Sequence, residues 1–549
     1  MSEKLAGKIE LREHSTTIEG HLDVGDFQRA LDIHQVFVKE YGDEDNIFKQ
    51  ICLLPEPART QISATLAELY DYQGDYPRAH KLLERYESAL VSEEFVDWGI
   101  PLRAKLQLVQ YLRLRGYPEG AIRATEKIKK QCEEKEDSRS VGDCCFYLVR
   151  LHVQRHNYKA AEQYYEEGLE QFSLEARSQK GEVHPALRWR LGLIFLTAGH
   201  ARWRVGELTK ASYRLYLAEG YLENTGDTIR KGTVALGIGC ALRSKGEYQR
   251  ALIEFEKALE CYKKVGKVGH ELNTARAFMN IGSTLLSLAS FDAMYYIDGA
   301  KENLQKALDI SERIENIPQQ AEVWIRLSWL KLAHEVNSPK EGEAYARKAL
   351  SLCKKTINSS SSRSLIFEGN IALGNACMQQ GRLIEADKCF RIAFDTARDI
   401  DTDKCRLEAH LALAEFYCQS HRHLRLAIEH DHHAKEILGR SPNKYLERKE
   451  KRIASEIQNA KRKVFVLEAD DEMFKKANLM KELTQQLQIW LIQIVDEKTD
   501  GNKTAMAKML GMSRPGLDKL MKRLPLNNEV SLPENTPWAT HGMSPSESS

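Results

Sequence analysis

The sequence predicts an all-α protein: a long α-solenoid of stacked helical hairpins followed by a small helical domain near the carboxyl end. Three observations carry this reading. The chain has 549 residues, 42% hydrophobic and 29% charged, with only 14 Pro and 33 Gly, so it is globular and too long for one core, and several domains or a repeat array are required. One spacing of small and large residues recurs over residues 11 to 440, which marks a repeat architecture. After Ser441-Pro442 that spacing stops and other helical periodicities begin.

The recurring unit places Gly or a small residue first, then Ala, a large residue four later and Ala or Gly three after that. The clearest copy has Leu373-Gly374, Gly381, Ala386, Phe390 and Ala393, and the next has Ile238-Gly239, Gly246, Tyr248, Ala251, Phe255 and Ala258. A third keeps Gly199, Gly206, Ala211 and Ala218, and a fourth keeps Tyr70, Gly74, Tyr76, Ala79 and Leu83. Weaker copies run through Gly25/Ala30, Gly116/Ala121, Tyr158/Ala161/Tyr165/Gly168, Ala300/Leu304/Ala307, Gly342/Ala346/Ala349 and Ala427/Ala434. The pattern resembles the tetratricopeptide repeat, and about ten units fill residues 1–440. In a unit of about 34 residues, small side chains at the eighth and twentieth positions let two antiparallel helices approach closely. The large residue at the twenty-fourth position fills the gap to the next unit, and Gly at the fifteenth ends the first helix in a left-handed conformation. One hairpin cannot bury its apolar face alone, so neighbours stack. Two copies are irregular: Ser287 to Asp298 is expected to lengthen a hairpin turn, and the serine-rich Asn358 to Ser364 reads as a flexible junction.

Residues 441–470 are expected to form a basic capping or linker helix, because Lys444 to Lys463 holds eight Lys/Arg against three acids with Leu446, Ile453 and Ile457 at helical spacing. Residues 471–525 form the next domain. Within it Leu479, Met480, Leu483, Leu487, Trp490, Leu491, Ile494 and Val495, widened by Ile489 and Ile492, make a stripe broader than one small neighbour covers, which points to a partner helix. The string from Asp500 to Leu524 has Asn502 placed to cap one helix, Ala507 small at a helix crossing, Gly511 ending that helix, Ser513 capping a second and Pro515 in its first turn. Gly501-Asn502, Thr504, Ala507, Leu510-Gly511, Ser513-Arg514 and Leu517 in this order resemble the Fis-type helix-turn-helix. Leu517 and Met521 would face the core, leaving Arg514, Asp518, Lys519, Lys522 and Arg523 outward. Lys498 to Arg523 holds seven Lys/Arg against two Asp, a basic patch.

The resemblance implies that the second helix enters the major groove of double-stranded DNA, with Ser513 and Arg514 leading in, Lys519 at a basic contact position, and Asn502 and Thr504 near backbone phosphates. Lys522 and Arg523 extend the same basic face. The sequence departs from the founding pattern at Gly516, where Thr is common, and at Asp518, where a base is common. In the family the preceding helices dimerise, so a homodimer through residues 479–495 is expected. Residues 526–549, with Pro533, Pro537, Pro545 and a serine-rich end, read as a disordered tail.

Composition narrows the rest. The 80 Lys+Arg balance 79 Asp+Glu, which excludes a uniformly basic nucleic-acid coat. The 11 Cys form no Cys-x-x-Cys pair, the start carries charge where a secretory segment is apolar, and no run of about 18 apolar residues occurs. A cytoplasmic protein with reduced thiols and no membrane contact is expected. Neither a phosphate-binding Gly-x-x-x-x-Gly-Lys-Ser/Thr loop nor a zinc or calcium motif is present, so no cofactor, metal or catalytic residue is expected and the chain is read as a non-enzyme. His421, His423, His430, His432 and His433 crowd the last repeat, with His430 and His433 on one helix face, and read as surface histidines. Cys144 and Cys145 point to different faces and read as core. The concave wall is expected to take a protein or peptide, with Arg243, Arg276, Asn280, Asn375, Met378 and Gln379 lining it. The sequence therefore reads as a DNA-binding transcriptional regulator with a partner-binding solenoid; the alternative is an interaction scaffold whose carboxyl segment only dimerises or docks.

Overall fold

The computed structural model describes all residues except 1, 42–43, 74, 179–182, 266–269, 290–292, 334–335, 356–359, 401, 421–422, 441–443, 464–483, 486, 490, 493–494, 497–498, 500 and 525–549. The regular structure of the described residues is helical throughout, as the sequence predicts. Two compact units result, residues 1–453 and residues 454–549. No described helix is long and apolar enough to cross a membrane.

Among the described residues of the first unit, ten helical hairpins follow one another. They pair Ser2–Asp23 with Phe27–Tyr41, Ala58–Gln73 with Tyr76–Leu83, Leu102–Leu114 with Pro118–Glu133, Ser138–Gln154 with Tyr158–Ser178, and Pro185–Val205 with Leu208–Leu222. The next five pair Thr228–Ser244 with Tyr248–Lys264, Glu271–Ala289 with Ala293–Arg313, Ile317–Leu332 with Pro339–Lys354, Ser360–Gln379 with Leu383–Ile400, and Asp403–Gln419 with Leu424–Arg440. Short helical turns over Glu84–Asp97 separate the second hairpin from the third.

The local chemistry explains the boundaries. Asp227 starts one helix by accepting the N–H of Arg230 at 3.0 Å, and Asn316 starts another by accepting that of Gln319 at 2.9 Å. At Gly206 and Gly246 the backbone turns between helices with φ of 101° and 78°, a region open to glycine without penalty. The fourth hairpin has no glycine there and sets His156 at φ 59° instead, which is why this copy is weak in sequence. A Cβ on Gly239 would fall 2.5 Å from the Phe255 ring, and one on Gly374 would fall 2.6 Å from Phe390. Both rings are buried, and each contributes about 1.5–3 kcal/mol of transfer free energy. The small first-helix residue and the aromatic of the second helix are therefore one packing device.

The two irregular copies are helical. The helices flanking residues 290–292 run 19 and 21 residues, against 17 and 17 in the preceding hairpin. The extra residues of Ser287 to Asp298 therefore lengthen the helices rather than the turn, which keeps their backbone groups paired. Ser360 to Ser364, expected as part of a flexible junction, form the first turn of a helix; serine is favoured at helix starts because its hydroxyl accepts unpaired N–H groups.

The solenoid coils tightly enough for distant hairpins to meet. Trp189 of the fifth hairpin packs on Gly25 of the first, and its indole N–H donates to Asp227 of the sixth at 2.9 Å. Arg190 donates to Asp143 at 2.8 Å, to Asp23 Oδ1 at 2.7 Å and to the Asp23 carbonyl at 3.0 Å. Burial raises the Asp23 carboxyl, but Arg190 and Arg139 outweigh it and hold the pKa at about 2. On the other side Lys404 of the tenth hairpin lies over the Trp203 ring at 5.6 Å. The fifth hairpin thus touches both the first and the tenth.

The helix Lys444–Lys463 begins by burying Leu446 and Ile453. Lys449 and Arg452 pair with Glu415 of the tenth hairpin at 3.2 and 2.5 Å. Part of its basic charge is spent inside the first unit.

In the second unit, helices Lys503–Met509 and Arg514–Arg523 pack around Ile492, Val495, Met506, Ala507, Leu517 and Leu524. Leu479, Met480, Leu483, Trp490 and Ile494 of the predicted stripe, and the 526–549 tail, lie outside the described residues.

Candidate nucleic-acid interface and the solenoid lumen

The two carboxyl-terminal helices are built as their residues dictate. Asn502 Oδ1 accepts from the N–H groups of Thr504 and Ala505 at 3.1 and 3.2 Å, and Ser513 Oγ accepts from Gly516 at 3.2 Å. Gly511 turns the chain at φ 67°. Met506, Ala507 and Leu517 are buried and Met521 is half-buried against them, so the helices cross on their small and apolar faces.

That packing leaves Arg514, Lys519, Lys522 and Arg523 exposed on the second helix, with Ser513 at its start and Asn502 and Thr504 exposed at the start of the first. The caps occupy the acceptors of Asn502 and Ser513, and the Thr504 hydroxyl remains at the surface. Asp518 is half-buried and faces Lys503 at 3.4 Å. An outward helix with four cations and one locally answered acid is suited to a polyanion. Upstream, Ile492 and Val495 enter the core while Leu487 and Leu491, four residues apart on another face, remain 40% and 37% exposed.

The predicted concave residues fare unevenly. Arg276 and Gln379 are exposed, and Arg243, Asn375 and Met378 are half-buried. Asn280 corrects the expectation: it is 7% exposed and its amide donates to the Arg276 carbonyl at 2.8 Å while its oxygen faces the Cys240 thiol. Arg243 donates to the Asn280 carbonyl at 3.5 Å, Asn375 to Ile371 in its own helix at 2.8 Å, and Gln379 to Leu332 of the neighbouring hairpin at 3.1 Å. Most of these groups brace the wall.

Sequence reasoning missed a second place on that wall. First helices of the second, third, fourth and sixth hairpins surround a small cleft of about 30 Å³ lined by Asp71, Tyr72, Gln107, Arg150 and Arg230, with Phe27 of the first hairpin. The signal was faint because the third and fourth hairpins are among the weaker copies and because it takes the coil to bring the first and sixth hairpins together.

His430 meets His410 at 2.9 Å between Nδ1 atoms, and burial, reinforced in His410 by the neighbouring rings, pushes both imidazoles down to about 4. His433 instead faces Glu436 at 3.2 Å. Cys144 and Cys145 are buried and their thiols are pushed up, Cys144 chiefly by a hydrogen bond with Cys132 and Cys145 chiefly by burial.

The described residues thus hold two kinds of module, an array of helical hairpins and a capped, basic helix-turn-helix. The family matches agree. Residues 491–524 match the bacterial regulatory protein, Fis family, and residues 233–270 match the tetratricopeptide repeat. No curated protein matches the sequence. Among solved structures, a Rap protein complexed with competence and sporulation factor is 14% identical, covering 66% of this chain and 99% of its own, with a TM-score of 0.43. Aspartyl phosphate phosphatase F from Bacillus subtilis is 12% identical over 70% of this chain and 93% of its own, with a TM-score of 0.42. A signal transduction ATPase with numerous domains, carrying a tetratricopeptide-repeat sensor, from Pyrococcus horikoshii is 15% identical over 70% of this chain and 55% of its own, with a TM-score of 0.43. At these identities the likeness is one of helical fold. The chain thus carries a tetratricopeptide repeat and a Fis-family helix-turn-helix.

Proposed function

We propose that this protein is a DNA-binding transcriptional regulator, acting in the cytoplasm, whose solenoid takes a protein or peptide partner. The observation that carries the reading is the outward face of helix Arg514–Arg523, where Arg514, Lys519, Lys522 and Arg523 are exposed on a helix fixed by the Ser513 cap. Docked in the major groove, its amino end would present Arg514 to base edges, where an arginine fork suits guanine, and Lys519 to phosphate. Asn502 and Thr504 open the first helix, and their polar groups stand where a backbone phosphate would lie. The exposed Leu487 and Leu491 supply surplus apolar surface for a second copy. A two-fold dimer would read half-sites about 34 Å apart.

A gel shift of the full chain on duplex DNA at several salt concentrations tests the proposal, with sedimentation giving the number of chains per duplex. Affinity falling steeply with salt, two chains per site, and loss on combining Arg514→Ala with Lys519→Ala support it. No binding at low salt, or binding indifferent to that pair of substitutions, leaves an interaction scaffold whose carboxyl segment docks or dimerises.

A further inference from the structure

The last hairpin of the first unit brings three metal-ligating side chains to one point of its surface. On a helix the surface neighbours of a residue lie three and four positions away, so His432 and His433 flank Glu436 on helix Leu424–Arg440. Both rings turn toward it. His433 Nδ1 stands 3.2 Å from one carboxylate oxygen and His432 Nδ1 3.9 Å from the other, and the three ligand atoms all lie within 4.8 Å of one another. Ligands held tetrahedrally at about 2.1 Å from a zinc ion are about 3.4 Å apart. The observed spacing therefore closes on an ion by rotation of exposed side chains, with no movement of the backbone. Sequence spacing singles out His430 with His433; the structure instead groups His433 with His432 and Glu436.

The surroundings favour a cation. His410, on the facing helix Asp403–Gln419, has its ring 5.1 Å from that of His433 and 5.1 Å from that of His430, and its Nδ1 meets His430 Nδ1 at 2.9 Å. Burial, reinforced in His410 by the neighbouring rings, holds both imidazoles down at about 4, so at neutral pH this pair behind the site carries no charge to oppose an ion. Among the described residues the ion pairs of Glu436 are with His432 and His433 alone. No lysine or arginine has to be displaced. A second convergence, of Glu343, Cys377 and Glu385, lacks this property, because Arg347 and Arg382 each pair with both of its acids.

The donors select the ion. Calcium and magnesium take oxygen ligands, whereas two imidazole nitrogens with one carboxylate suit zinc and its neighbours in the first transition row. We infer that His432, His433 and Glu436 bind one divalent transition-metal ion of the zinc class, through Nδ1 of each ring and a carboxylate oxygen, with water completing the tetrahedron. The ligands span one turn of a single helix, so the ion braces the carboxyl end of the last hairpin. No residue assigned to DNA takes part, and the two readings stand or fall separately.

Calorimetric titration of the full chain, carrying no polyhistidine tag, with zinc chloride tests it. The inference expects one ion per chain with a Kd below about 10 μM, weakened at least about tenfold in His433→Ala and in Glu436→Gln. Cobalt(II) reads the ligands on the native chain: tetrahedral d–d bands without a thiolate-to-metal charge-transfer band support the nitrogen and oxygen set. A strong charge-transfer band would assign the ion to cysteine and overturn the inference. So would the absence of saturable binding at zinc concentrations up to about 100 μM, or an affinity unchanged in both variants. Both substituted side chains are exposed, so neither change disturbs packing.

Discussion

Lys503 Nζ stands 3.4 Å from Asp518 Oδ1, so the acid on the second helix of the helix-turn-helix is answered by the base that opens the first. The two side chains are 50% and 41% exposed, and a pair this open is worth no more than about 1 kcal/mol to stability. Its importance is electrostatic. In the basic face, Asp518 is the position at which the sequence departs from the Fis-type pattern toward a charge that repels phosphate, and the departure is partly neutralised within the domain.

It follows that Asp518→Asn strengthens DNA binding. The substitution removes one negative charge and releases Lys503 toward the phosphates, so affinity should rise several-fold at low salt, by about 1 kcal/mol, with the salt slope steeper by about one. Fluorescence anisotropy on a labelled duplex measures both. A fall in affinity would mean that Asp518 itself contacts the DNA.

Packing makes a sharper demand in the solenoid. Gly239→Ala and Gly374→Ala push a methyl into the rings of Phe255 and Phe390, and each should destabilise its hairpin by about 1–3 kcal/mol. Gly220→Ala is the control: nothing lies within 4 Å of its Cβ, and within a helix the change should be neutral or stabilising by up to about 1 kcal/mol. Denaturant melts of the three variants rank them.

The coil depends on Asp23. Asp23→Ala removes the carboxylate shared by Arg190, Arg103 and Arg139, leaving Arg190 with Asp143. Hydrogen exchange should then quicken over the first hairpin and around Trp189, with the eighth to tenth hairpins unchanged. Uniform protection would show that the aromatic contacts hold the closure alone.

Acid should loosen the same array. Burial lowers His14, His200, His270, His410 and His430 from 6.5 to about 4. Their folded-state values lie below the unfolded ones, so the unfolded chain binds more protons over that interval. The stability they contribute is fully present above about pH 6.5 and is lost as pH falls toward 4. Thermal midpoints taken from pH 7.5 to 4.5 should decline steadily, and a flat profile would contradict the burial of these rings.

Much of this was legible in the residues. Gly239 with Phe255 and Gly374 with Phe390 announce the hairpins because one helix needs a small residue where its partner puts a ring, and Asn502, Gly511 and Ser513 announce the helix-turn-helix because each has a single local task. The lumen was not legible. Asp71, Arg150 and Arg230 come from three hairpins, and their meeting depends on how tightly the solenoid coils, which is set by contacts such as Trp189 on Gly25 between units far apart in sequence. Asn280 was misread for the same reason, since counting along a repeat gives the face a side chain occupies and not the distance to the next helix. Ser360 to Ser364 misled by composition, which describes loops and helix starts alike.

The exposed face of helix Arg514–Arg523 is the centre of the account, and the slope of DNA affinity against salt concentration tests it most directly. For the native chain, log affinity should fall linearly with log salt, and the Arg514→Ala/Lys519→Ala variant should bind at least about tenfold more weakly with a slope shallower by about one to two. An identical slope and affinity for the two proteins would place the DNA elsewhere on the molecule and remove the assignment of this helix to the groove.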